Sequence, residues 1–178
     1  MNEKRKNLTL KLSTAAVVGA AYAVLTMALA PISYGAIQCR VSEALCVLPF
    51  FMPCTAWGLF AGCAAANLLT GNIFDVIFGS LATLGAALCT AAFGRRSRTR
   101  GAAALGCLMP VVFNAVIVGA VITAAYEGLN IFAHFGVFAT NAMWVGLGEL
   151  IVMYVIGYPL VRLLPTRKFF REIVEKTK

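Results

Sequence analysis

Arg95-Arg96-Ser97-Arg98-Thr99-Arg100 puts four arginines into six residues, midway along a chain that is otherwise almost free of charge. On either side lie long apolar runs, 82 residues over 12–93 and 63 over 102–164, and beyond these stand two further basic blocks at 4–11 and 162–178. Fourteen of the fifteen Lys and Arg fall in the three blocks, and Arg40 is the exception. Basic residues beside membrane spans mark the cytoplasmic side. The amino terminus, the arginine loop and the carboxyl terminus are therefore all expected inside. Each run between blocks must then cross an even number of times. At about 20 residues per span the first run holds four crossings and the second two. The fold class expected is an all-α integral membrane protein of six transmembrane helices, both termini cytoplasmic, in the cell membrane.

Composition points the same way. The chain of 178 residues is 61% hydrophobic and 12% charged, with a mean hydropathy of +0.85, where a soluble domain carries about 25% charged residues. A folded chain near this length still leaves roughly 30% of its unfolded surface exposed, so the excess apolar surface needs lipid. The net charge of +8 suits nucleic acid only if it covers a polar face. Here the arginine loop is already needed for topology, and no nucleic-acid partner is expected.

Breakers divide the runs into approximate spans 12–30, 41–52, 54–69, 73–93, 103–124 and 137–164, all within one membrane domain covering 1–178. Pro31 closes the first, which lacks the small-residue cleavage site of a removable signal peptide. The second is short, cut by Pro49 and Pro53, and the tail from 167 onward reads as an amphipathic basic helix on the inner surface. The six cysteines contain no C-x-x-C pair, and His134 is the sole histidine, so the thiols read as small buried hydrophobes and no metal site is expected.

Polarity that survives inside a span is a functional hypothesis by default, since an ionisable group at mid-membrane costs at least about 2.5 kcal/mol. Arg40 and Glu43, three residues apart at the start of span two, read either as an interfacial ion pair or as ligand contacts. Asp75 opens span four and reads either as an N-cap or as a site residue. Asn67 and Asn114 lie within spans, Glu127 and His134 in an outer loop, and Asn141, Trp144 and Glu149 in span six. Glu149 is the hardest to treat as structural, having no cation within one helical turn. In span one, Ala15, Gly19 and Ala23 form one small-residue row and Ala16 with Ala20 an adjacent one. Such rows let another helix come close, in this chain or in a partner.

Three stretches carry a resemblance. The run at 30–45, A-P-I-S-Y-G-A-I-Q-C-R-V-S-E-A-L, the run at 75–84, D-V-I-F-G-S-L-A-T-L, and V-G-L-G-E-L-I at 145–151 resemble the QueT family across essentially the whole chain. That resemblance implies a substrate-binding S component of an energy-coupling factor (ECF) transporter for queuosine precursors, with a six-helix bundle and both termini inside. It further implies that substrate enters from outside. The S component then docks on a transmembrane coupling subunit with two ATPases and topples to release its cargo. The chain would be no enzyme and bind no cofactor, ATP being used by the partner subunits; it has no G-x-x-x-x-G-K-[ST] loop. The row Ala15, Ala16, Gly19, Ala20 and Ala23 matches the docking surface on the family's first helix.

A 7-deazaguanine cargo would use the polar inventory in a definite way. Glu149 or Glu43 would accept from its N–H edge, with Asp75 as a further carboxylate in the site. Asn114, Asn141 or Arg40 would donate to its carbonyl, and Tyr34 or Trp144 would stack on the ring. Other classes stay open: a proton-coupled secondary transporter using Glu43 or Glu149, an S component for another vitamin, an intramembrane enzyme or a structural scaffold.

Overall fold

The computed structural model describes residues 3–33, 39–68 and 71–177, and among them every regular element is a helix. Helix α1 spans Glu3–Ala28, and a single turn, Ala30–Ser33, follows it. Helix α2 is a 3-10 helix over Val41–Phe50, and α3 spans Thr55–Asn67. Helices α4, α5 and α6 run over Asp75–Arg96, Arg100–Tyr126 and Phe135–Thr166, and α7 is Lys168–Thr177. Four helices are long and apolar enough to cross a membrane: α1 from Arg5 onward, α4, α5 and α6. Helices α2 and α3, with 10 and 13 residues, are shorter.

The outer face of the bundle is apolar. Leu12, Val17 and Val24 on α1, Leu81 and Leu88 on α4, and Leu105, Val112 and Val116 on α5 are all exposed. A belt of this kind marks a surface that meets lipid or another protein, and the four long apolar helices that carry most of it suit lipid. The buried interior, by contrast, holds Arg40, Glu43, Asn67, Asp75, Asn114 and Glu149, so polarity runs inward and grease outward.

Several boundaries differ from the sequence expectation. Helix α1 starts nine residues before position 12, inside the basic block, because Lys and Arg are good helix formers and nothing there stops the helix. Pro31 sits in the short turn that follows Leu29, at an early position where its missing N–H costs little. Asp75 is not the N-cap of α4. Asn72 caps the helical residues 73–74 that lead into α4, its Oδ1 accepting from Phe74 N at 2.9 Å, while Asp75 lies buried in a π turn, Asp75–Gly79.

The 3-10 form of α2 decides which side chains face inward. Three residues per turn place positions i, i+3 and i+6 in line, so Arg40, Glu43 and Cys46 form one buried stripe. Ala44, Val47 and Phe50 form a second, and Leu45 and Leu48 are only half-buried on the third. The same form stretches ten residues to about 20 Å, against about 15 Å as an α-helix.

Helices α1 and α3 meet backbone to backbone. A Cβ on Gly58 would strike the Ala15 carbonyl oxygen, one on Gly62 the Gly19 carbonyl oxygen, and one on Gly19 the Gly58 carbonyl oxygen. At the end of the bundle beside the arginine loop, Phe50, Phe51, Cys107, Val111 and Met153 form a core. Helix α7 closes it. Phe170 meets the Phe51 ring edge-on at 5.4 Å, and Ile173 and Val174 pack alongside. The apolar face of this tail therefore covers the protein itself, where the sequence reading put it on the membrane surface. The core it joins draws Val47 and Phe50 from α2, Cys107 and Val111 from α5 and Met153 from α6, a grouping that local sequence does not reveal.

Candidate functional site

Glu43 is the centre of a buried knot drawn from three helices. Its Oε1 accepts from the Tyr22 hydroxyl of α1 and, at 3.0 Å, from Thr83 Oγ1 of α4. Its Oε2 accepts from the Cys46 thiol at 3.0 Å, one 3-10 turn further along α2. Tyr22 is placed by its helix: Ala15, Gly19, Tyr22 and Thr26 follow at i, i+4, i+7 and i+11, a single inward stripe. Thr26 extends the seam, bonding the Tyr22 carbonyl at 2.9 Å and pairing with the Ser42 hydroxyl at 2.6 Å.

A second layer surrounds the Cys63 sulfur. Thr83 Oγ1 lies 3.3 Å away, Asn67 Nδ2 3.4 Å and Arg40 Nη1 3.9 Å. Asn67 Nδ2 also donates to the Asp75 carbonyl at 3.0 Å, tying α3 to the π turn that opens α4. That contact needs Gly79, since a Cβ there would lie 2.9 Å from Asn67 Nδ2 and 3.1 Å from Asp75 Oδ1. Arg40 stands in the electrostatic field of Glu43 and Asp75 together. A buried guanidinium with flanking carboxylates is the arrangement that makes a buried cation tolerable.

The third part belongs to α5 and α6. Asn114 Nδ2 donates to Glu149 Oε1 at 3.0 Å. Asn114 Oδ1 and Glu149 Oε2 are buried and have no hydrogen-bond partner among the described residues. Glu149 also lies in the field of Glu43 and Arg40, so this pair faces the same interior as the knot. The difference between the carboxylates is chemical. Glu43 has both oxygens engaged, whereas Glu149 and its amide present two acceptors that await donors.

Of the residues singled out in the sequence, Arg40, Glu43, Asp75, Asn114 and Glu149 come together in the interior. Asn141 and Trp144 do not join them. Asn141 Nδ2 donates to Thr123 Oγ1 and to Glu127 Oε2, each at 3.0 Å, which latches the far end of α5 to α6. Trp144 is 41% exposed on the outer surface of α6, since it sits five residues before the inward Glu149 and so close to the opposite face. Tyr34 lies outside the described residues. The small-residue row of α1 divides: Ala15 and Gly19 are taken up against α3, Ala23 is half-buried, and Ala16 and Ala20 are exposed. Cys39, Cys46, Cys54, Cys63, Cys89 and Cys107 are all free thiols.

Tyr22, Thr83, Cys46 and Cys63 complete the site and were not marked by sequence reasoning. One signal did exist for Tyr22. A tyrosine in the middle of a span, away from the interfacial belt, must find a partner for its hydroxyl.

Comparison with known proteins identifies a family and a relative. A family model described as QueT transporter matches residues 12–166. The queuosine precursor transporter QueT of Lactococcus lactis subsp. cremoris (strain MG1363) is 43% identical over 82 residues, 45% of this chain and 48% of the relative. The matched stretch thus spans about half the length of that relative. No solved structure matches the chain. With a helical bundle, a polar interior and a family match over most of its length, the chain belongs to the QueT transporter family.

Proposed function

We propose that this chain is the substrate-binding S component of an ECF-type importer, and that it takes up queuosine precursors across the cell membrane. In this reading the whole chain is one membrane domain of six spans with both termini cytoplasmic. The observation that carries the site is the Asn114–Glu149 pair, whose Oδ1 and Oε2 are buried acceptors without partners among the described residues. A buried acceptor left unbonded costs about 1–3 kcal/mol. A deazaguanine, rich in N–H donors, would recover that energy on binding.

Glu43 then acts as a positioning residue. Its three donors lock α1, α2 and α4 together and hold Arg40 and Asp75 near the cargo. Both open acceptors are sealed from solvent, so cargo enters only when the helices around them part. The chain binds no cofactor, and ATP is hydrolysed by two ATPase subunits bound to a coupling subunit. The exposed Ala16 and Ala20 of α1 give that subunit a small-residue face on which to dock.

The test is equilibrium binding of queuosine precursors to the purified protein and to Glu149→Gln. Binding by the wild type and at least about tenfold weaker binding by the variant are expected, from the loss of one charge-assisted hydrogen bond. An unchanged dissociation constant would remove Glu149 from the site. For the coupling role, the chain alone in liposomes should show no uptake, and uptake should appear when coupling and ATPase subunits are added with ATP.

A further inference from the structure

The basic residues, widely separated in sequence, gather at one end of the fold. Arg98, in the loop between α4 and α5, lies over the Phe50 and Phe51 rings, and Phe51 meets Phe170 of α7 edge-on. The start of α1 arrives at the same place. Helix α1 packs against α7, and Cys54, which lies against this core, stands in the field of Lys11. Arg162 lies near the end of α6, and Arg167 directly precedes α7.

Charge at this end is one-sided. Eleven Lys and Arg side chains are exposed there among the described residues, against two exposed carboxylates, Glu172 and Glu175. Both carboxylates stand on α7, four residues after Lys168 and Arg171, the spacing at which they offset those two cations. The arginine loop contains no carboxylate. At the opposite end the exposed acidic or basic side chains among the described residues are Glu127 and His134, so the positive excess belongs to one end only.

The cations also border the apolar belt directly. Leu12 follows Lys11 and Leu163 follows Arg162, and both leucines are exposed. Phe169, between Lys168 and the buried Phe170, is 75% exposed. The rest of the apolar face of α7 is turned onto the protein, so its outward face offers cations and one ring. A phosphate joined to acyl chains matches such a border, with the phosphate on the cations and the chains on the leucines.

We propose that this end of the protein is a binding surface for anionic phospholipids, whose headgroups bridge α7, the arginine loop and the start of α1 and hold α7 against the core. Without them, like charges on the three segments repel one another, and α7 is retained by its apolar contacts alone. The surface is separate from the polar interior and from any cargo held there.

Lipid binding to the purified chain in detergent is read by native mass spectrometry, with phosphatidylglycerol and phosphatidylcholine of the same acyl chains as probes. Phosphatidylglycerol is expected to bind at least about tenfold tighter, since each Lys or Arg near an anionic surface adds about fivefold. Lys168→Gln with Arg171→Gln leaves the packed face of α7 untouched and should weaken phosphatidylglycerol at least about tenfold, with phosphatidylcholine unchanged. Hydrogen exchange over 168–177 in nanodiscs reads the hold on α7. It should be slower with phosphatidylglycerol than with phosphatidylcholine alone, and the difference should vanish in about 1 M salt, where screening shortens to about 3 Å. Equal affinity of the two lipids for the wild type, or an undiminished preference in the double variant, overturns the proposal. So does equal protection of α7 by free glycerol phosphate, which would need no membrane. Protection by coupling and ATPase subunits but not by phosphatidylglycerol would give the surface to a protein and overturn it as well.

Discussion

Tyr22→Phe isolates one bond in the Glu43 knot. The ring is fully buried and its packing is kept, so the variant removes only the hydroxyl, which donates to Glu43 Oε1 and lies beside the Cys63 thiol. A hydrogen bond to an ionised group contributes about 1.5–3 kcal/mol. Thr83 still donates to the same oxygen and Cys46 to the other, so the carboxylate is not orphaned and the lower half of that range applies. For a chain of this size each kcal/mol moves the midpoint by about 2–4 °C, giving an expected fall of about 3–9 °C. Thermal unfolding of the purified protein in detergent, followed by intrinsic fluorescence, reads this directly. Tyr154→Phe serves as the comparison, since its hydroxyl donates to the neutral Ala104 carbonyl at 3.1 Å from a partly exposed position and should shift Tm less. A Tyr22→Phe midpoint within about 1 °C of wild type, or equal shifts in the two variants, would refute the charge-assisted knot.

Other expectations follow from the packing. Gly58→Val drives a branched side chain onto the Ala15 carbonyl and should cost about 1–3 kcal/mol or more, seen as lost monodisperse protein on size-exclusion; a normal elution profile would mean α1 and α3 are not in backbone contact. Phe170→Ala removes the ring that meets Phe51 and should lower stability by up to about 3–5 kcal/mol; an unchanged melting curve would detach α7 from the core. Ala20→Leu thickens the exposed face of α1 and is expected to block co-purification with coupling and ATPase subunits while sparing cargo affinity. Retained assembly would place docking on another face.

The sequence carried its helical class openly, because apolar excess and clustered charge are properties of composition and need no tertiary contact. It also marked Arg40, Glu43, Asn114 and Glu149, since a polar group inside an apolar run is visible without knowing its neighbours. Their partners were hidden. Tyr22 and Thr83 reach Glu43 across 21 and 40 residues of chain, and neither residue type is unusual in a span. The 3-10 winding of α2 was equally hidden. Short span length and Pro49 suggested an irregular helix, but only packing decided that Arg40, Glu43 and Cys46 should line up. Trp144 and Asn141 were drawn in by their closeness to Glu149 along the chain, and helical phase turned Trp144 outward and gave Asn141 to Glu127.

Two ends of the bundle are fastened differently. Arg98, in the loop between α4 and α5, lies 5.3 Å from the Phe50 ring centre and 5.1 Å from that of Phe51, and partial burial holds its guanidinium below the ordinary arginine value. It keeps its charge, because the ordinary value is so high, and so caps the core beneath α7. The opposite end relies on the Asn141 bonds to Thr123 and the exposed Glu127, which water can compete for.

Helix α1 shows two unlike faces to its surroundings. Ala15, Gly19 and Tyr22 press inward on α3 and Glu43, while Ala16 and Ala20 look out. With three glycine close approaches leaving no slack between α1 and α3, the rod behaves as a lever whose handle is outside the bundle and whose tip is a phenol on a carboxylate. A force applied to the handle has no soft layer in which to dissipate before it reaches the polar interior.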